Sequence, residues 1–134
     1  MDQEPSGDEP IRVLIADDHL LFAEALTTLL ERNDRIDVVG SAANGPDAID
    51  QALTLDAEIV VMDVGMPGMD GLETTRRLRS IAPKTRVIVL TGLTESGLQQ
   101  RAADAGASAC LTKGAADREV IDTILAVYDG RLDI

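Results

Sequence analysis

The sequence contains a single cysteine, Cys110, which excludes an internal disulfide and a zinc site built on several cysteines. Aromatic residues are equally scarce, with one Phe, one Tyr and no Trp among 134 residues. The core must therefore be built from aliphatic side chains. A chain of this length suits one domain and can bury such a core without disulfides.

Basic residues are also few, since 12 Lys and Arg stand against 24 Asp and Glu, for a net charge of −12. Binding to nucleic acid requires basic patches, so we expect no nucleic-acid contact through this domain. No apolar run approaches the roughly 20 residues that cross a membrane. The first ten residues, MDQEPSGDEP, lack the basic and apolar parts of a signal peptide. We expect a cytoplasmic protein without a membrane partner, in which residues 1–10 form a disordered acidic tail.

Short apolar runs alternate with helical patterns along the rest of the chain. Strands are predicted at residues 11–16, 36–42, 58–63, 86–92 and 108–112, each followed by a helix. Apolar residues recur at helical spacing in three of the helices: Leu21, Phe22, Ala25, Leu26, Leu29 and Leu30 in the first, Ala48, Ile49, Ala52 and Leu53 in the second, and Val120, Ile121, Ile124, Leu125 and Tyr128 in the last. This order predicts an α/β fold with a doubly wound parallel sheet of five strands, covered by helices on both faces.

Polar side chains stand where four of the predicted strands end. Asp17 and Asp18 follow the first strand, Asp63 ends the third, Thr91 lies at the end of the fourth and Lys113 follows the fifth. In a flavodoxin-like sheet with strand order 2-1-3-4-5, strands one and three are neighbours at the point where ligands bind. The three acids are therefore expected to meet in one crevice.

Three carboxylates in one crevice repel one another unless a cation lies between them. Mg²⁺ prefers oxygen ligands, needs few carboxylates from the protein and keeps several waters. Each of these acids alone would be read as a solvated loop residue. Together with Thr91 and Lys113 at matching strand ends, they predict a magnesium site.

The same residues resemble a known family. The DD pair at 17–18, DVGMPGMDG at 63–71, LTG at 90–92 and LTKG at 111–114 look like the receiver domain of bacterial two-component response regulators. DDH near the start and GASACLTKGA near the end are most similar to the NarL/FixJ subgroup, whose members carry a C-terminal helix-turn-helix. The resemblance assigns residues 11–129 to the receiver and residues 130–134 to the start of a linker or a C-terminal tail.

The resemblance implies a signalling switch that is controlled by phosphorylation and is not an enzyme acting on other substrates. Asp63 would accept a phosphoryl group from a sensor histidine kinase. Mg²⁺ would be held by Asp17, Asp18, Asp63 and the backbone carbonyl of Gly65, while Lys113 and Thr91 would contact phosphoryl oxygens. Phosphorylation would favour a homodimer and control an output domain, expected to be a DNA-binding domain that is absent from this chain.

Two residues stand apart from this pattern. Many receivers place Tyr or Phe three residues before the lysine, and its rotation accompanies activation, whereas this chain has Cys110 there. A small thiol cannot move as an aromatic ring does, so we expect a buried, inert cysteine and a modified coupling step. His19, the only histidine, is expected to begin or cap the first helix.

Three other functions remain open from the sequence. A magnesium-dependent phosphohydrolase with an Asp nucleophile needs a second acid two residues later, where this chain has Gly65. A mononucleotide or flavin carrier needs a phosphate-binding loop after strand one, where this chain has two acids. A receiver-like dimerisation module that is never phosphorylated would not need the complete set of acids with Thr91 and Lys113.

Overall fold

The computed structural model describes residues 9–92 and 96–134 and contains five strands and five helices in strict alternation in this part of the chain. The strands are β1 (Ile11–Ala16), β2 (Ile36–Ala42), β3 (Ile59–Met62), β4 (Arg86–Thr91) and β5 (Ala109–Thr112). The helices are α1 (Leu20–Leu30), α2 (Gly45–Thr54), α3 (Gly71–Ile81), α4 (Leu98–Ala105) and α5 (Asp117–Tyr128). The predicted α/β order is confirmed.

All strand pairs are parallel, and the sheet has the order β2-β1-β3-β4-β5. Strands β1 and β3 are direct neighbours, and their register pairs Ala16 with Met62. The residues that follow this pair, Asp17 and Asp63, therefore leave the sheet side by side. The predicted flavodoxin-like topology is confirmed, and with it the expected meeting of strands one and three.

The strands are apolar on both faces because each face is covered by helices. Val13 and Ile15 of β1 lie in the core beneath α1 and α5, together with Leu26, Leu30 and Ile124. The alternate residues of the same strand, Leu14 and Ala16, lie in the core with side chains of α2, α3 and α4. The buried side chains of both cores are non-aromatic in the described residues, as the scarcity of aromatic residues predicts, and the Phe22 ring packs against one core from a half-buried position.

The inward faces of the helices differ from those predicted at four positions. In α1, the buried residues are Ala23, Leu26 and Leu30, whereas Leu21 and Ala25 are exposed. Leu53 of α2 and Tyr128 of α5 are also exposed, and α5 buries Thr123 and Val127 instead. The physical reason is that consecutive apolar residues fit more than one helical face, and only packing against the sheet selects one.

The helix after β4 begins later than expected. Its predicted span starts at residue 95, which lies outside the described residues, and the observed α4 begins after Gly97 and ends before Gly106. Both glycines have left-handed backbone, with φ of 84° and 104°, which L-residues with a side chain rarely adopt. The predicted C-terminal stop at Gly106 is confirmed.

The last residues return to the domain. The backbone N–H of Ile134 donates to the Ser108 carbonyl at 3.0 Å, and Leu132 packs against the core beneath α5. Most of the tail predicted at residues 1–10 lies outside the described residues. Among the helices of residues 9–92 and 96–134, none has the length and apolar character that crossing a membrane requires.

Candidate phosphoacceptor and metal site

Hydrogen bonds beyond the strand ends fix the position of two of the acids. The Asp17 backbone N–H donates to the Ala42 carbonyl at 2.9 Å, and the Asp63 N–H donates to the Ala16 carbonyl at the same distance. Both contacts continue the sheet ladder by one residue. The two carboxylates are thus held at one edge of the sheet by the backbone, independently of their side chains.

Asp63 is nearly buried, with 4% of its surface exposed, although it carries a carboxylate. Burial raises the pKa of this carboxyl above its ordinary value, and the neighbouring charge of Asp17 raises the pKa further. Lys113 and a hydrogen bond from the Gly65 backbone act in the opposite direction. Its Oδ2 atom is buried and has no hydrogen-bond partner. A buried acceptor of this kind is costly unless another group contacts it.

Lys113 is the cation nearest to both acids among the described residues. Its Nζ lies 2.7 Å from Asp17 Oδ2 and 3.8 Å from Asp63 Oδ1. The same ammonium lies 4.4 Å from the centroid of the Phe22 ring, within the range of a cation–π contact. The lysine therefore balances part of the negative charge while its stem packs on α1.

Asp18 and Thr91 complete the set of predicted side chains in different surroundings. Asp18 is exposed, whereas Asp17 and Asp63 are buried. Thr91 is buried at the end of β4, and its carbonyl accepts from the Lys113 N–H at 2.8 Å. One cavity of about 490 Å³ is lined by His19, Phe22, Asp63, Gly65, Thr91, Gly92 and Lys113. The structure thus brings Asp63, Thr91 and Lys113 to a single opening, with Asp17 and Asp18 beside Asp63.

His19 was expected only to begin or cap the first helix, but its ring lies among the acids of the site. It occupies the N-cap position of α1 but makes no side-chain cap hydrogen bond. Its Nδ1 lies 3.1 Å from Asp17 Oδ1, 3.5 Å from Asp18 Oδ1 and 3.9 Å from Asp63 Oδ2. Its position beside two acids was visible in the sequence, but the direction of the ring was not.

The loop after β3 is shaped by two glycines with different constraints. A Cβ at Gly71 would overlap the backbone carbonyl of Asp63, so helix α3 can begin here only with glycine. The Asp70 side chain caps this helix by accepting from the Glu73 N–H at 2.9 Å. Gly65 is exposed, and a Cβ there would stand 3.8 Å from Asp63 Oδ2. Gly71 therefore sets the backbone of Asp63, while Gly65 leaves the approach to it open.

Cys110 is buried on β5, as expected, and 8% of its surface is exposed. It pairs with Val89 in the sheet, and its carbonyl accepts from the Gln99 side chain of α4 at 2.9 Å. Burial raises the pKa of the thiol above its ordinary value. The position that carries an aromatic ring in many receivers is therefore a closed part of the core.

The residues present fit a hard dication. Asp17, Asp18, His19 and Asp63 can each direct one ligand atom so that these atoms lie within 4.8 Å of one another. The unpartnered Oδ2 of Asp63 is one oxygen that a cation would satisfy. A cation among these carboxylates would also remove the repulsion that raises the pKa of Asp63.

Comparison with known proteins decides the family. Residues 13–125 match the model of the response regulator receiver domain. The chain belongs to this family. Its strand order and its acidic edge are those that the resemblance implied, so the sequence-based assignment is confirmed.

Relatives with curated descriptions are full response regulators. The chain is 40% identical over 121 residues to the response regulator UvrY of Escherichia coli (strain K12) and 39% identical to GacA of Pseudomonas viridiflava. Each match covers 90% of this chain but 56% of the relative. The receiver chain thus spans just over half the length of these relatives.

Solved structures agree with this assignment. A LuxR-family two-component response regulator from Aurantimonas sp. SI85-9A1 superposes with a TM-score of 0.89 at 32% identity, covering 94% of this chain and 90% of that one. The signal receiver domain of NarL from Mycobacterium tuberculosis gives 0.87 at 31% identity, covering 92% and 99%. These neighbours match the subgroup that the DDH and GASACLTKGA motifs predicted.

Proposed function

We propose that Asp63 accepts a phosphoryl group from a sensor histidine kinase and that this charge change is the signal the domain transmits. One observation carries the proposal more than any other. A buried carboxylate with an unpartnered oxygen lies beside a second buried acid and a lysine, at the open edge of a receiver fold. A carboxylate in these surroundings is a candidate nucleophile, because its charge is not fully compensated.

In the proposed step, a carboxylate oxygen of Asp63 forms a bond to phosphorus. The bond between phosphorus and the imidazole nitrogen of the donor breaks, and that nitrogen keeps the electron pair. Oδ1 is the proposed nucleophile, because it faces Lys113, whereas Oδ2 faces His19. Asp63 must react as the carboxylate, so the groups that oppose its raised pKa, Lys113 and the Gly65 N–H, favour the reaction.

Mg²⁺ is the proposed cofactor, with Asp17, Asp18, Asp63 and the Gly65 carbonyl as its ligands. When bound, it would supply positive charge to offset the charge on the phosphoryl oxygens. Lys113 already lies within 3.8 Å of Asp63, so a small movement away from Asp17 brings its ammonium to a phosphoryl oxygen. The Thr91 hydroxyl is proposed as the donor to another oxygen, since Thr91 lines the same cavity.

The proposed output is a shift between two conformations. Thr91 ends β4, and the chain that follows leads to α4, so a displacement of Thr91 toward the phosphoryl group would be passed to that segment. Cys110 replaces the usual aromatic residue, which leaves Thr91 as the proposed first mover. A coupling of about 5 kcal/mol would be needed to invert a strongly biased equilibrium.

The partners follow from the same assignment. We infer that the kinase contacts this domain, that phosphorylation favours a homodimer, and that DNA binding belongs to an output domain that is absent from this chain. The net charge of −12 supports assigning no nucleic-acid contact to the receiver. We also infer a cytoplasmic location. The only reactions proposed for this domain are its own phosphorylation and dephosphorylation.

The test uses a small phosphodonor in place of the kinase. Acetyl phosphate with Mg²⁺ should add one phosphoryl group to the intact chain, detected by mass spectrometry. Asp63→Asn should abolish the addition, whereas Asp37→Asn, which changes an exposed acid on β2, should not. Removal of Mg²⁺ with a chelator should strongly slow the addition of the phosphoryl group. Labelling that persists in Asp63→Asn would refute the proposed acceptor.

A further inference from the structure

An imidazole lies among the acids of the proposed cation site, because His19 Nδ1 lies within 3.9 Å of a carboxylate oxygen of all three. We propose that His19 Nδ1 is a ligand of the bound cation, giving a mixed nitrogen and oxygen site that discriminates in favour of Zn²⁺ over Mg²⁺. The inference deepens the proposed function and rests on it, because it concerns the same cation site.

The distances around Nδ1 fit one shared ion. Two ligand atoms about 2.1 Å from a metal lie about 3.0 Å apart at right angles and about 4.2 Å apart when opposite. His19 Nδ1 lies 3.1 Å from Asp17 Oδ1, 3.5 Å from Asp18 Oδ1 and 3.9 Å from Asp63 Oδ2. All three separations fall inside this window, so Nδ1 can share an ion with every acid.

Two further observations point to a cation at this place. The buried Oδ2 of Asp63 has no hydrogen-bond partner, and it is the Asp63 oxygen that faces His19. A cation already stands beside the imidazole, since Lys113 Nζ lies 3.3 Å from Nδ1 and 2.7 Å from Asp17 Oδ2. The tautomer with its proton on Nε2 presents a lone pair at Nδ1, and this is the tautomer that can bind a cation there.

The backbone holds the imidazole in position. The His19 N–H donates to Asp17 Oδ1 at 2.8 Å, so the residue is fixed to the acid with which it would share the ion. His19 is the N-cap residue of α1 and has extended backbone, with φ of −87°. The ring is 66% exposed, so a metal can reach it without opening the domain.

The nitrogen ligand changes which ion the site prefers. Carboxylates, carbonyls and water suit Mg²⁺ and Mn²⁺, whereas imidazole suits Zn²⁺, Cu²⁺ and Ni²⁺. Most oxygen sites already bind transition ions more tightly, so a preference alone does not identify the ligand. If part of the preference for Zn²⁺ is lost when His19 is replaced, that part identifies the imidazole as a ligand.

The experiment relies on His19 being the only histidine of the chain. A tag-free chain labelled with ¹⁵N-histidine gives imidazole signals from this residue alone. Titration with Zn²⁺ should shift the Nδ1 resonance, with a smaller change at Nε2. Calorimetric titration of His19→Gln should show a Zn²⁺ affinity about tenfold or more below wild type, with a much smaller loss for Mg²⁺. Asp18→Asn, as the matched variant, should weaken the binding of both Zn²⁺ and Mg²⁺.

The outcomes separate this inference from the proposed function. If wild type binds both ions and His19→Gln binds Zn²⁺ as tightly as wild type, or if the Nδ1 resonance does not move, His19 is not a ligand and the inference is wrong. The magnesium site would then stand on the carboxylates alone. If wild type binds neither ion, the proposed site fails, and the role of His19 fails with it.

Discussion

Lys113 Nζ lies 2.7 Å from Asp17 Oδ2, between an acid that is almost fully buried and the aromatic ring of Phe22. The lysine is therefore the counter-ion of the acidic edge in the unphosphorylated domain. To contact a phosphoryl group on Asp63, it must leave Asp17. A cation that takes over the neutralisation of Asp17 would release Lys113 for this role.

Lys113→Met tests the counter-ion role, because methionine keeps the packing on Phe22 and removes the charge. We expect the free energy of unfolding to fall by about 2 kcal/mol, since two buried carboxylates lose their nearest cation. Mg²⁺ should restore part of this loss. Urea unfolding with and without Mg²⁺ measures it, and Lys84→Met, an exposed lysine outside the site, is the control. Equal stability of Lys113→Met and wild type without Mg²⁺ would contradict the role.

Asp63→Asn should stabilise the metal-free domain at neutral pH. The folded pKa of Asp63 lies above its ordinary value of 3.8, so ionisation of this buried group opposes folding as pH rises through the folded pKa. Below the unfolded pKa both states are protonated, and the advantage should disappear. We expect the unfolding free energy of Asp63→Asn to exceed that of wild type at pH 7. Thermal unfolding from pH 3 to pH 8 gives the result, and a gain that persists unchanged in acid would rule out this cause.

Gly71→Ala should disrupt the position of Asp63. An alanine Cβ would overlap the Asp63 carbonyl, so either α3 or the end of β3 must move. We expect a loss of about 2 kcal/mol or more in unfolding free energy, with slower phosphorylation by acetyl phosphate. Gly65→Ala is the matched control, because its Cβ would make only an ordinary contact, and it should leave stability within about 0.5 kcal/mol. Wild-type stability in Gly71→Ala would disprove the constraint.

Cys110 should be inert in the folded domain. Its thiol is buried and its pKa is raised by burial, so little thiolate forms at pH 7. Alkylation by iodoacetamide should be about a hundredfold slower in buffer than in urea. Cys110→Ala should be phosphorylated by acetyl phosphate at a rate within about twofold of wild type. Rapid alkylation of the native chain would show that β5 is more open than the structure indicates.

Much of the fold was predictable because two patterns alternate along the chain, short apolar runs for strands and apolar residues at helical spacing for helices. Runs such as Ile11–Ala16 and Ile59–Met62 are apolar at every position or nearly so. Such runs are typical of strands that are covered by helices on both faces. The site was predictable for a related reason. Once strands one and three are neighbours, Asp17 and Asp63 must lie together, whatever the loops between them do.

The remainder depends on tertiary packing that one sequence does not encode locally. Leu21 and Leu26 fit the same helical pattern, but the sheet buries only Leu26. Both the backbone N–H and the ring of His19 contact Asp17 Oδ1, and only the folded end of β1 shows this. Lys113 contacts Phe22 and His19, and each of these residues lies more than ninety positions away from it in the sequence. Such contacts follow from the fold and cannot be read from spacing.

The central claim is that Asp63 is the residue that carries the phosphoryl group. Its most direct test is chemical trapping of the acyl phosphate. The chain is treated with acetyl phosphate and Mg²⁺, reduced with borohydride, digested, and sequenced by mass spectrometry. We predict that borohydride converts residue 63 alone to homoserine, in wild type but not without the phosphodonor. Reduction at Asp17 or Asp18, or at no residue, would contradict the account.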